Sequence, residues 1–164
     1  MAGRVGLVFQ NPRFQFLTLT VEEEVLTTLR AARPQAAEEA RAAEAEALLG
    51  EFGLLPWRKH SPYELSQGQQ RRLALLSMLA GEQSLLLLDE PTYAQDERST
   101  RFILDLLERR VAEGLTAVLA THDLALARAC ANQILLLEDG RLTTLAPAEL
   151  DAYAAERRMP SCEA

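Results

Sequence analysis

Asp89 and Glu90 stand side by side where a run of four leucines, residues 85–88, comes to an end, and Pro91 follows them. Four consecutive leucines are too few for a helix and suit a strand covered on both faces, as in a parallel sheet. Ligands of open α/β sheets bind beyond the carboxyl ends of the strands, and the two acids mark such an end. Adjacent side chains leave a strand in opposite directions, so the pair need not share one task. One carboxylate there can hold Mg²⁺ directly or through water, and a second can orient an attacking water. The residues alone carry a plainer account equally well, in which Asp89 ends a buried strand and Glu90 caps nearby backbone.

Three other stretches bear on the same chemistry. "LSQGQQRR" begins at Leu65. Ser66 and Gln69 have the spacing of a capping box, Gly68 permits close backbone approach, and a helix N-terminus offers exposed N–H groups to an anion such as phosphate. Taken singly, Ser66 and Gln69 are an ordinary cap. "ATHDLA" puts His122 just past a second apolar run, residues 116–120, at another carboxyl end. A lone histidine there serves structure more often than chemistry. Gln10 closes the first apolar run, residues 5–9, and "QNP" is a turn signal.

These positions need elements to hold them. Thr20 and Glu23, at capping-box spacing, predict a helix over 20–32. Pro34 leads a second, Ala- and Glu-rich helix with a solvated face, which stops near Gly53. Residues 54–65 hold two prolines and read as a loop. Ser66 opens a helix with Leu73, Leu76 and Leu79 on one face. The leucine strand, a helix over 96–113 ended by Gly114, a strand over 116–120, a short helix from Asp123, a strand over 134–137, a turn at "EDG" and a last helix after Pro147 complete the chain. Strands alternating with helices predict an α/β fold with a mainly parallel sheet, beside a small helical subdomain. The tail "MPSCEA" has the composition of a frayed end.

Composition narrows the functions. At 164 residues with 48% hydrophobic residues, the chain can bury a real core. A net charge of −7 without a basic block argues against nucleic-acid binding. Cys130 and Cys162 are the only cysteines, which fits a reducing compartment rather than a disulfide framework. No apolar run approaches the ~20 residues that span a bilayer, and Arg4 precedes too short an apolar segment for a secretory signal.

In order and interval, "FQNP", "LSQGQ", "LLLLDEPT" and "THD" resemble the nucleotide-binding domain of ABC transporters, over about residues 4 to 142. "GLVFQNPRFQFLTLTVEEEV" is most similar to the ATPases of energy-coupling factor importers, which take up vitamins or metal ions. The resemblance implies a P-loop NTPase-like fold, ATP and Mg²⁺ as cofactors, a second ABC ATPase domain and an integral membrane subunit as partners, and no nucleic acid. It implies a cytoplasmic protein held on the inner face of the membrane through that subunit. It further implies that Gln10 reaches Mg²⁺ and the attacking water on a loop that touches the membrane subunit. Leu65, Ser66, Gln67, Gly68 and Gln69 match the signature motif, with Ser66 and Gly68 facing a γ-phosphate. Asp89 matches the aspartate on Mg²⁺, Glu90 the general base, Asp96 the aspartate of the loop between the two paired domains, and His122 the switch histidine at the γ-phosphate. Two positions depart from the pattern: Gln67 stands where glycine is common, and Gln95 where an apolar residue usually precedes Asp96.

The family's phosphate loop, G-x-x-x-x-G-K-[ST], does not occur in these 164 residues. Gly3 and Gly6 are too close together, and the only lysine, Lys59, follows "LLPWR". An aromatic platform for adenine is absent as well. The resemblance places both before the strand that carries Gln10. The expectation is therefore one partial ABC ATPase domain over 1–164, lacking its N-terminal phosphate-loop portion. Its helical subdomain runs over about 20–80, and an α/β part over about 84–142. Such a chain alone would show little or no ATPase activity. Two rivals remain: a regulatory half-site that lends its signature to a partner ATPase, and a non-transport ABC ATPase of DNA maintenance. The second usually has long coiled coils between its halves, whereas only 55 residues separate Gln10 from Ser66.

Overall fold

The computed structural model describes residues 5–81, 83–93 and 95–156. Gly3, Arg4, Cys162 and the tail "MPSCEA" lie outside the described residues. The chain forms two compact units, residues 1–120 and 121–164.

The first unit is built on a three-stranded parallel sheet in the order β1 (Val5–Val8), β2 (Leu85–Asp89), β3 (Thr116–Ala120). Val8 pairs with Leu88, Leu88 with Leu119, and Asp89 with Ala120, so all three strands end at one edge. The leucine run is the central strand. Leu86 and Leu88 are fully buried, while Leu85 and Leu87 on the other face are only half-buried. The expectation of cover on both faces is thus met on one. Val5, Leu7 and Val118 share the more open face and are 41–52% exposed.

Between β1 and β2 the chain is helical. In α1 (Val21–Ala32) Val21, Val25, Leu26 and Leu29 make the buried stripe. Its first-turn amides are all met: Val21 N–H donates to His60 O (3.0 Å), Glu22 N–H to Arg58 O (3.0 Å) and Glu23 N–H to Thr20 Oγ1 (3.2 Å). The segment read as a loop therefore caps a helix, and it winds into two short 3₁₀ turns, Leu55–Trp57 and Pro62–Glu64.

The second helix, α2 (Glu38–Glu51), starts four residues later than Pro34 led the sequence reading to expect. Residues 34–36 turn instead, with Ala36 N–H donating to Arg33 O. The helix ends at the expected place, because Gly53 takes a φ of +64° that its lack of a β-carbon permits. Arg72 closes that end by donating to Phe52 O at 2.9 Å.

Helix α3 (Gln67–Leu79) is buried on more than the single leucine face expected, since Gln70, Arg71, Ala74, Leu75 and Ser77 are buried beside Leu73 and Leu76. It packs against α1 and β1. Helix α4 (Glu97–Ala112) contributes Ile103, Leu106 and Leu107, and Phe102 meets Phe52 edge-on at 5.5 Å. One apolar core joins these helices to the sheet. Full burial of Leu86 or Leu88 stabilises by about 1.5–3 kcal/mol each.

The second unit holds α5 (Leu124–Cys130), β4 (Ile134–Glu138), β5 (Arg141–Leu145) and α6 (Leu150–Glu156). The sequence reading passed from the "EDG" turn to the last helix and missed β5. Asp139 and Gly140 both have positive φ, 46° and 74°, the geometry of a two-residue type I′ hairpin, and β4 and β5 pair antiparallel across it. Strand β5 escaped notice because four of its five residues are exposed, so "RLTTL" carries no apolar run.

Candidate functional site

The carboxyl edge of the sheet carries Gln10 just beyond β1 and the acids at the end of β2. Asp89 is exposed and Glu90 half-buried. Glu90 N–H still donates to Ala120 O at 2.9 Å, so it prolongs the ladder by one bond. Its φ is then +45°, the left-handed region, which a side chain disfavours. This turns the chain sharply, and Glu90 O accepts from Tyr93 N–H at 3.1 Å. The chain thus turns directly after the two acids.

The signature stretch sits at the start of α3. Ser66 Oγ accepts from Gln69 N–H (3.3 Å) and Gln69 Oε1 accepts from Ser66 N–H (2.9 Å), a complete capping box. Leu65 is buried and fixed by Gln70 Nε2, which donates to Leu65 O at 3.1 Å, while Ser66 and Gln67 face outward. One cleft is lined by Gln10, Leu65, Gln67, Gln70, Arg71 and Tyr93 among others. Gln10 and the signature, 55 residues apart in sequence, thus share a surface.

Gly68 faces the loop of Asp96. A β-carbon on Gly68 would lie 3.2 Å from Gln95 Oε1 and 3.5 Å from Ser99 Oγ. Gln95, the polar departure in that loop, is what lies against Gly68. Asp96 itself caps α4, accepting from Ser99 N–H at 2.7 Å and from Ser99 Oγ at 3.2 Å. The Ser99 backbone bond, above all, holds its carboxyl below the usual aspartate range.

His122 belongs to the second unit and is exposed. Its neighbours are pinned: Asp123 N–H donates to Thr121 Oγ1 (3.1 Å), and Asp123 Oδ1 accepts from Leu126 N–H (3.0 Å).

Sequence reasoning missed Arg71. It is 1% exposed, and Nη1 donates to Phe9 O at 3.3 Å. Burial pulls its guanidinium below the ordinary value, and the charges of Asp89 and Glu90 oppose that shift. The available signal was helical spacing: Arg71, Ala74, Leu75 and Met78 lie on one stripe of α3. Glu24 was missed too. It is buried and accepts from Leu17 N–H, Thr18 N–H and Thr18 Oγ1, ordering the chain between Gln10 and α1.

These residues fit an ATP- and Mg²⁺-dependent site. Among the described residues no three His, Cys, Asp or Glu side chains cluster to hold a metal by themselves. A Mg²⁺ ion asks for less, one or two carboxylates completed by phosphate oxygens and water, and Asp89 supplies an exposed one. A helix N-terminus supplies N–H donors for phosphate, and the capping box leaves those of Gln67 and Gly68 outside its own bonds.

Comparison with known proteins gives the same direction. The family model described as "ABC transporter" matches residues 1–93. The energy-coupling factor transporter ATP-binding protein EcfA2 of Symbiobacterium thermophilum is 41% identical over 155 residues, 93% of this chain and 53% of that protein. The putative HMP/thiamine import ATP-binding protein YkoD of Bacillus subtilis is 40% identical over 136 residues, 83% of this chain and 24% of that protein. A solved structure, the ATP-binding cassette MJ0796 as a post-hydrolysis dimer bound to ADP and Pi, superposes with a TM-score of 0.77. It shares 32% identity and covers 88% of this chain and 63% of its own. The chain thus spans about a quarter to three-fifths of the length of these relatives. The parallel sheet with flanking helices is the P-loop NTPase-like fold expected. By the family match over more than half its length, and by these relatives, the chain belongs to the ABC transporter family of ATP-binding proteins.

Proposed function

We propose that this chain is part of an ATP-binding, ATP-hydrolysing subunit of a membrane importer, in the manner of the energy-coupling factor ATPases. The observation that carries the reading is the placement of Gln10, Asp89 and Glu90 at one carboxyl edge of the parallel sheet, with the exposed start of α3 left free to face a second domain. In this reading Asp89 and Gln10 hold Mg²⁺. Glu90 accepts the proton of the attacking water. Ser66 and Gly68, at the exposed start of α3, present hydroxyl and N–H donors to the γ-phosphate of a nucleotide on a second ABC ATPase domain. Asp96, beside Gly68 through Gln95, lies at the contact with that domain, and His122 is the switch histidine for the γ-phosphate of the subunit's own nucleotide. Bound Mg²⁺ would neutralise charge on the phosphates during transfer.

A membrane subunit docks near Gln10. Phe14, Leu17 and Leu19 support this, being 77–88% exposed in the stretch that follows it. Exposed apolar side chains of this size mark interaction surfaces. No helix among the described residues is long and apolar enough to cross a membrane, so a cytoplasmic location at the inner face depends on that partner.

The 164 residues hold no G-x-x-x-x-G-K-[ST] loop, so the chain by itself turns over little or no ATP. A phosphate-release assay on the purified chain tests this. Ordinary turnover that Glu90→Gln abolishes would overturn it. Co-purification with membrane subunits from native membranes tests the transport role, and recovery with DNA-maintenance proteins instead would sink it. A second reading, a half-site that lends only its signature, is favoured by the exposure of Ser66 and Gln67. Calorimetric titration with ATP separates the two, since the half-site alone binds none.

A further inference from the structure

The chain on either side of Gln10 is tied to one face of α3. Before it, Arg71 Nη1 donates to Phe9 O at 3.3 Å; after it, Gln15 Nε2 donates to Ala74 O at 2.7 Å. Arg71 and Ala74 are three apart on the helix and so lie on one face. Both side chains that make the ties are buried, Arg71 to 1% and Gln15 to 8% exposure. Each also keeps a buried polar atom without a partner, Arg71 Nε and Gln15 Oε1. Burying a guanidinium and an amide, each only partly satisfied, is costly. An apolar pair would pack α3 against β1 more cheaply. What the two polar groups add is a fixed register between residues 9–15 and the helix whose N-terminus is Ser66.

We propose that Arg71 and Gln15 are positioning residues that clamp the segment carrying Gln10 to α3, so that the signature start and Gln10 move as one body. The role given to Gln10 rests on the function proposed above; the clamp itself does not. A displacement at Ser66 and Gly68 is then carried along the rigid first turns of α3 to Phe9 O, rather than being absorbed in a loop. The charges of Asp89 and Glu90 also act on Arg71.

The test is amide hydrogen exchange on the full chain without nucleotide, comparing wild type, Arg71→Met, Arg71→Lys and Gln15→Leu. Arg71→Met should speed exchange of the bonded amides just past Gln10, those of Arg13, Phe14 and Gln15, by about tenfold or more. Gln15→Leu should do the same and should add Leu17, whose amide donates to Glu24. Both should leave α1 and α2 at wild-type rates. Arg71→Lys keeps a donor and a charge, and should restore part of the protection at Arg13 and Phe14. Unchanged exchange at Arg13 and Phe14 overturns the clamp. So does a rise spread evenly through α1 and α2, which would make the effect one of global stability. A rise confined to 88–92 also overturns it, leaving Arg71 as a counter-charge for the acids alone. If Arg71→Met does not fold, Arg71→Lys and Gln15→Leu carry the same comparison. Because no nucleotide enters, failure here is distinct from failure of the ATPase reading, which the phosphate assay with Glu90→Gln decides separately.

Discussion

Glu90 combines an expected chemical role with a backbone that its residue type resists, and the two can be separated by measurement. At φ +45° a side chain's β-carbon crowds its own carbonyl, at a cost of roughly 1–2 kcal/mol. Glycine escapes that cost but gives back about 0.4–1 kcal/mol through the freedom it adds to the unfolded chain. Alanine and glycine both delete the carboxylate, so comparing Glu90→Ala with Glu90→Gly cancels whatever that group contributes and leaves the backbone term. The glycine variant should be the more stable by about 0.5–1 kcal/mol. Urea unfolding followed by the fluorescence of Trp57, the one tryptophan, reads this directly. With a slope near 2 kcal/mol/M the midpoints should differ by roughly 0.3–0.5 M. Equal midpoints, or a lower one for glycine, would refute the claim that the site stores strain at this residue. A strained residue at a functional position fits a group whose direction matters more than its stability.

Other outcomes follow from the same site. Gly68→Ala should leave stability unchanged or raise it by up to about 1 kcal/mol, since Gln95 can swing aside. It should still abolish any stimulation of a partner ATPase, which a mixed-domain turnover assay reads. Ser66→Ala removes the hydroxyl that accepts from Gln69 N–H, while the backbone N–H of residue 66 still donates to Gln69 Oε1, and should cost about 1 kcal/mol in urea unfolding; a loss under ~0.3 kcal/mol would mean α3 is held by packing alone. Asp96 has its carboxyl pKa lowered on folding. The carboxylate cap is therefore fully present above the unfolded aspartate value and is lost only as pH falls through the lower folded one. An NMR titration should find its midpoint below that of exposed aspartates, and Ser99→Pro, which removes the donating N–H, should return it toward the ordinary range.

Much of the architecture was legible because it rests on local chemistry. Helix starts at Thr20, Ser66, Asp96 and Asp123 are each written by a residue whose side chain accepts from the backbone three positions on, and all four caps form. The leucine run could only be a buried strand, and it is the central one. Where local signals were ambiguous the reading slipped. Pro34 can begin a helix or a turn, and it begins a turn. Strand β5 exists by pairing across Asp139–Gly140, which its own sparse apolar content does not announce.

Tertiary structure alone decided three things. It brought Gln10 to the signature, since proximity across 55 residues is set by how α3 packs on β1. It buried Arg71 and Gln15, whose polar types read as surface until a carbonyl on another element is seen to take their donors. It bent the backbone at Glu90 into a region that a glutamate does not choose by itself. The residue types of the site, their order and the family they belong to were in the sequence, because chemistry fixes which groups are needed. Where those groups stand relative to one another was not, because that is settled by packing among elements far apart in the chain.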